Sequence, residues 1–169
     1  MTSQFEPAGQ QGGASVGIIA DRLEQIGIVL PPPPQPIANY VPLVQAGNLI
    51  FTSGNGCRKD GKQMYEGKVG REVTIEQGQA AARQSVINIL AALQAHLGDL
   101  DRITRIVKLL GFVNSAPGFT EQPYVIDGAS NLLVEVFGEA GKHARSAVAA
   151  PELPFSIPVE IEMIVQVEA

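Results

Sequence analysis

Two kinds of charged side chain near the C-terminus have the chemistry to act together. Arg145 lies in HARSAV (143–148), and Glu160 lies in the alternating run VEIEMIVQV (159–167). A guanidinium is a planar fork that meets a carboxylate with two parallel charge-assisted bonds, which lysine does not reproduce. A carboxylate held close by can position a water and take its proton. Together they suggest a place to grip a small anionic substrate and attack it with water. As a solvent-exposed cross-strand ion pair, the same two charges would contribute only about 0.2–1 kcal/mol. Spacing alone leaves both readings open. Glu162 shares the face of Glu160 and is a secondary candidate partner for Arg145.

The elements around these residues decide whether they can meet. Residues 143–167 read as two strands joined by a proline-bounded turn. Side chains alternate along a strand, so Val159, Ile161, Met163, Val165 and Val167 form one face. Glu160, Glu162, Ile164 and Gln166 form the other, where Arg145 is expected to join Glu160.

Upstream, residues 1–14 are rich in Gly, Gln and Ala and read as a mobile tail. Ser15 is placed to cap a helix carrying Val16, Ile19, Leu23 and Ile26, which Gly27 ends. Pro31–Pro34 and Pro36 form a stiff connector. Residues 40–53 suit a hairpin turning at Gly47-Asn48, and 54–72 a polar, glycine-rich surface loop. Thr74 and Gln77 fit a capping box for a helix with the buried stripe Ala82, Val86, Leu90, Leu93 and Leu97, closed by Gly98. Residues 103–113 suit a central strand, 114–123 a loop and 129–138 a second packed helix. With the extra first helix set aside, the order is ββαβαββ. This is an α+β fold, a mainly antiparallel sheet with two helices on one face. The other face is left uncovered, and apolar residues on it such as Ile164 point to oligomerisation.

Bulk properties narrow the function. The 169 residues suffice for one domain, read here as 15–169, with a sizeable core. A net charge of −5, with no basic cluster beyond Arg58-Lys59, disfavours a nucleic-acid partner. The chain shows neither a secretory signal nor an apolar run of membrane-spanning length, and its single cysteine, Cys57, fits a reducing compartment. A cytoplasmic location is expected. Cys57 reads as an ordinary loop thiol, and His96 and His143 lack metal-ligand company, so no metal is expected.

Several segments resemble the RidA/YjgF family of imine deaminases. They are Tyr40 with QAGNLIFTSG (45–54), RIVKLLGFV (105–113), Asn131 with LLVEVFG (132–138), and HARSAV, Leu153-Pro154 and VEIEMIV (143–165). The longer N-terminus and an extra loop at 117–128 resemble the branch labelled endoribonuclease L-PSP/chorismate mutase-like. The resemblance implies a chorismate-mutase-like fold and a homotrimer with clefts between subunits. It implies hydrolysis of 2-imino acids or their enamine tautomers to 2-keto acids and ammonia, with no cofactor. By the same resemblance Arg145 clamps the substrate carboxylate and Glu160 positions the water. Tyr40, Asn131, Gly54 and Asn55 line the cleft, and Ala147 contributes a backbone N–H to the carboxylate. The chain departs from the family at two of these places. Ala147 stands where many members carry cysteine, which excludes thiol chemistry there, and Gly54-Asn55-Gly56-Cys57 replaces the usual Gly-Gln-Ile-Pro. A small-carboxylate binding module is the alternative function. A nuclease fits less well, because the chain is acidic and lacks a His pair.

Overall fold

A computed structural model describes residues 17–33 and 39–168; the N-terminal tail, the Ser15 cap and Pro34–Pro36 lie outside them. The clearest expectation from sequence is the long helix, α2 (Ile75–Leu97). Thr74 Oγ1 accepts from the Gln77 N–H while Gln77 Oε1 accepts from the Thr74 N–H, and Gly98 ends the helix at φ 78°. Its buried stripe includes Ala82, Val86, Leu90 and Leu93. Burying each large aliphatic side chain contributes about 1.5–3 kcal/mol.

The expected hairpin forms as β1 (Leu43–Ala46) and β2 (Leu49–Thr52), with Gly47 at φ 61° in the turn. The segment after it is less open than its composition suggests. A short hairpin, β3 (Arg58–Lys59) and β4 (Lys62–Gln63), turns at Asp60-Gly61 with both φ positive. Cys57 beneath it is fully buried, with its thiol toward the Tyr65 carbonyl. The surface-loop reading of Cys57 is therefore corrected. The glycines let the backbone fold over the core rather than away from it.

The strand expected at 103–113 is β5 (Ile103–Asn114). The helix expected at 129–138 is α3 (Gln122–Phe137), which begins well before that. Pro123 sits in its first turn, where a missing N–H costs nothing, and Gly128 lies inside it. Both residues read locally as loop signals. Gly128 is needed because a Cβ there would lie 2.1 Å from the Gln79 carbonyl oxygen of α2. The extra loop expected at 117–128 is therefore corrected: from Gln122 onward it is helix.

The final strands, β6 (Ala144–Ala150) and β7 (Val159–Val167), are not a hairpin. The sheet order is β1-β2-β7-β5-β6. Strand β7 lies between β2 and β5, antiparallel to both, and β6 lies beyond β5 as a parallel edge strand reached through α3. All five core-facing residues of β7, from Val159 to Val167, are buried against the helices, so the most apolar strand takes the centre. The result is the expected mainly antiparallel sheet with helices on one face. The first helix, α1 (Ile18–Gln25), is held across the chain by Asp101, whose carboxylate accepts from the Ile18 and Ile19 N–H groups at 2.8 Å. Among the described residues no helix is long and apolar enough to cross a membrane.

Candidate active site

Register places Arg145 and Glu160 on opposite faces of the sheet. Arg145 is opposite Leu109, which is opposite Met163, and both partners are buried against the helices. Glu160 is opposite Phe112, which is opposite Val148, on the uncovered face. Directly opposed residues share a face, and β5 separates the two strands by about 10 Å in all. The expectation that the two charges meet on one face is corrected for a single protomer, and with it the reading as an ion pair between them. The alternation within each strand is as expected. The relative phase of β6 and β7 is set by β5, a residue set distant in sequence.

Arg145 has other company. Its Nη1 donates to Asp127 Oδ1 at 2.7 Å and to Ser130 Oγ at 3.1 Å, both on α3. The side chains of Arg145 and Asp127 keep 26% and 38% of their exposure, so the group is lined by protein on one side and open on the other. His143 Nδ1 donates to the Gly141 carbonyl at 2.6 Å, which leaves Nε2 as the acceptor facing Ser130 Oγ at 3.1 Å. Burial, with the Arg145 charge in addition, holds the His143 imidazole below its usual pKa. The neutral ring accepts the Ser130 hydroxyl proton, and that hydroxyl oxygen accepts from Arg145. Among the described residues, the Nε and Nη2 hydrogens of Arg145 have no partner, and that edge is the one suited to a bidentate carboxylate. Ala147 shares the face of Arg145 two residues on, opposite Gly111. Asn131 is exposed on α3, one turn beyond Asp127.

Glu160 belongs to a second cluster. A Cβ on Gly54 would lie 2.1 Å from Glu160 Oε1, so the carboxylate rests directly on the glycine backbone. Asn55 exchanges both backbone hydrogen bonds with Ile161, at 2.9 and 3.0 Å. Asn88 of α2 donates to the Gly56 and Arg58 carbonyls, which pins the segment from below. Ser53 Oγ donates to the Val41 carbonyl, bringing the neighbouring Tyr40, itself 53% exposed, to the same end. Half-burial, followed by the like charge of Glu162, raises the Glu160 pKa above the usual carboxylate range. A carboxylate so placed is a stronger base when ionised.

The candidate residues named from sequence therefore fall into two groups, Arg145 with Ala147 on β6 and Asn131 on the neighbouring α3, and Glu160 with Gly54, Asn55 and the Tyr40 end of the first hairpin. Glu160 on β7 lies two strand spacings, ~10 Å, from Arg145 on the β6 edge, and Tyr40 lies further off, toward the β1 edge. Asp127, Ser130 and the role of His143 were not visible in the sequence, because Asp127 falls in the stretch that reads as a loop and Ser130, though inside the expected helix, has no partner within that helix to mark it. Their spacing of three on a helix is the signal that marks one face. Among the described residues no three His, Cys, Asp or Glu side chains are grouped to hold a metal.

Comparison with known proteins agrees with this architecture. The chain is 45% identical over 151 residues to Protein TCP17 of Trypanosoma cruzi, covering 89% of this chain and 94% of that one. It is 31% identical to the 2-iminobutanoate/2-iminopropanoate deaminase of Dermatophagoides farinae, over 83% of this chain and 95% of that one. The crystal structure of Atu1372 from Agrobacterium tumefaciens, of unknown function, superposes with a TM-score of 0.84 at 47% identity, over 89% and 93% of the two chains. A family model described as "YjgF/chorismate_mutase-like, putative endoribonuclease" matches residues 20–165, which hold both half-sites and every strand between them. With the Arg145 strand and the VEIE segment of β7 inside that span, the chain belongs to the YjgF/chorismate mutase-like family.

Proposed function

We propose that the protein hydrolyses reactive 2-imino acids, or their enamine tautomers, to 2-keto acids and ammonia in a cleft between subunits of a homotrimer. The observation that carries this is the pair of complementary half-sites on opposite faces of one sheet. Arg145 offers an unengaged guanidinium edge at the β6 edge, and Glu160 offers a basic carboxylate on the uncovered face. Neither half is complete alone, and the Arg145 edge of one protomer laid on the Glu160 face of its partner completes both. The uncovered face supports such packing, because Val44, Phe51 and Val148 are exposed on it beside Ile164. An apolar patch of this kind marks an interaction surface.

In this reading Arg145 fixes the substrate carboxylate and the Ala147 N–H adds to it. Glu160 holds a water against C2 and accepts its proton as the C–O bond forms. The resulting carbinolamine collapses with transfer of a proton to nitrogen, loss of ammonia and formation of the keto group. Asn131 and Tyr40 close the cleft and orient the imine. The Dermatophagoides relative supports this chemistry by its name. The cytoplasm, where a buried unpaired thiol such as Cys57 persists, is the fitting compartment.

The test follows 2-keto-acid release from an enzymatically generated 2-imino acid, with and without the protein. Wild type is expected to accelerate release. Arg145→Ala should abolish the acceleration, and Glu160→Gln should lower it by about 10²–10⁴-fold, the usual range for a lost acid–base group. A wild type that gives no acceleration overturns the reading for those substrates. If it still binds keto acids through Arg145, and Glu160→Gln binds as well, the protein is a carboxylate-binding module instead.

A further inference from the structure

The carboxylate clamp carries its own counter-charge. Asp127 Oδ1 lies 2.7 Å from Arg145 Nη1, and the pair is only partly exposed. The hydrogen bonds of Ser130 to Arg145 and His143 hold the guanidinium from the same side without adding charge. His143 is kept neutral there by burial and by Arg145 itself. The half-site therefore sums to about zero net charge where an isolated arginine would carry one positive charge. A ligand carboxylate on the open Nε/Nη2 edge feels the attraction of Arg145 and, one guanidinium width further, the repulsion of Asp127. At partial burial that repulsion is screened less than in bulk water.

We propose that Asp127 is a specificity-determining residue, weighting the Arg145 site toward ligands that carry a positive nitrogen beside the carboxylate and against plain carboxylates. A protonated 2-imino acid is such a ligand, with a carboxylate on the clamp and a compensating charge one carbon away. Its 2-keto acid product has only the negative charge. Asp127 then disfavours the product relative to the substrate and speeds its departure, a discrimination achieved by repulsion of the wrong ligand. The inference rests on the reading of Arg145 as the clamp.

Titration calorimetry on the assembled full chain tests it with two stable probes of similar shape, 2-oxobutanoate and 2-aminobutanoate. Asp127→Asn keeps an oxygen to accept from Arg145 and removes only the charge. It should tighten 2-oxobutanoate about tenfold, ~1.4 kcal/mol, and change 2-aminobutanoate less than about threefold. Asp127→Ser, which shares only the loss of charge, should shift the two probes in the same direction. Ser130→Ala, which removes a neutral contact, should affect both probes alike. If Asp127→Asn and Asp127→Ser leave both probes unchanged, or weaken both equally, the selectivity role is wrong and Asp127 only positions the arginine. If Arg145→Ala binds both probes as wild type does, or wild type binds neither, the clamp reading itself has failed.

Discussion

Glu160 shows what a half-buried carboxylate costs the protein that holds it. Its pKa is raised, chiefly by half-burial, so the native state binds its proton more tightly than the unfolded chain does. Folding stability contributed by this group is greatest below the unfolded value near 4.5, falls as pH rises through the raised value, and stays reduced above it. Glu160→Gln should therefore raise stability at pH 7 by about 0.5 kcal/mol, a small figure because the group is half exposed, while activity falls. Urea denaturation at pH 7 and pH 4 checks it, and the gain should vanish at the lower pH. His143 works in the other direction. Its native pKa is lowered, so the neutral ring is matched to its site above 6.5 and stability is lost as pH drops toward the native value. His143→Gln should flatten that acid-side loss in the same measurement. Gly54→Ala would drive a methyl into the Glu160 carboxylate, the movable end of a side chain. The fold should survive, since Gly54 is not among the positive-φ residues, and turnover should drop by about 10²-fold as the carboxylate is displaced.

Elements carry the side chains to these places, and their contacts are close. At Gly128 the helix α3 meets the α2 backbone at Gln79. Gly128→Ala must separate two helices rather than bend a side chain, so a loss of about 1–3 kcal/mol in thermal denaturation is expected, with Asp127 and Asn131 displaced together. The capping box of α2, the Gly47-Asn48 hairpin and the alternation of β7 were all legible in the sequence because each is decided by neighbours a few residues away. The start of α3 was not. Pro123 and Gly128 are turn residues by local preference, and only the close approach of α2 and the first-turn position of the proline reverse that preference. The same holds for the 54–58 segment, polar and glycine-rich by composition, yet held down by Asn88 and by its bridge to Ile161.

For the whole molecule, the two faces of the sheet have different fates. One is covered by α2 and α3, and the other leaves Phe51 and Val148 exposed around Glu160. If that face packs against other copies of the chain, Phe51→Glu should shift the sedimentation coefficient from trimer to monomer. The circular dichroism should be retained and imine hydrolysis lost, because each protomer would keep only half of a site. A trimer that survives this charge would place the interface elsewhere.

The long helix, the first hairpin, the inward face of β7 and the ββαβαββ order of the main elements were legible in the sequence, since helix caps, turns and side-chain alternation are short-range properties. Only the tertiary structure decided which of the candidate residues share a site. Strand β7 enters between β2 and β5 while β6 goes to the edge, and this pairing sets the phase between Arg145 and Glu160. A shift of one residue in either ladder would have put both on the same face. The same packing gave Arg145 its partners, Asp127 and Ser130, from a helix whose first turns read locally as loop.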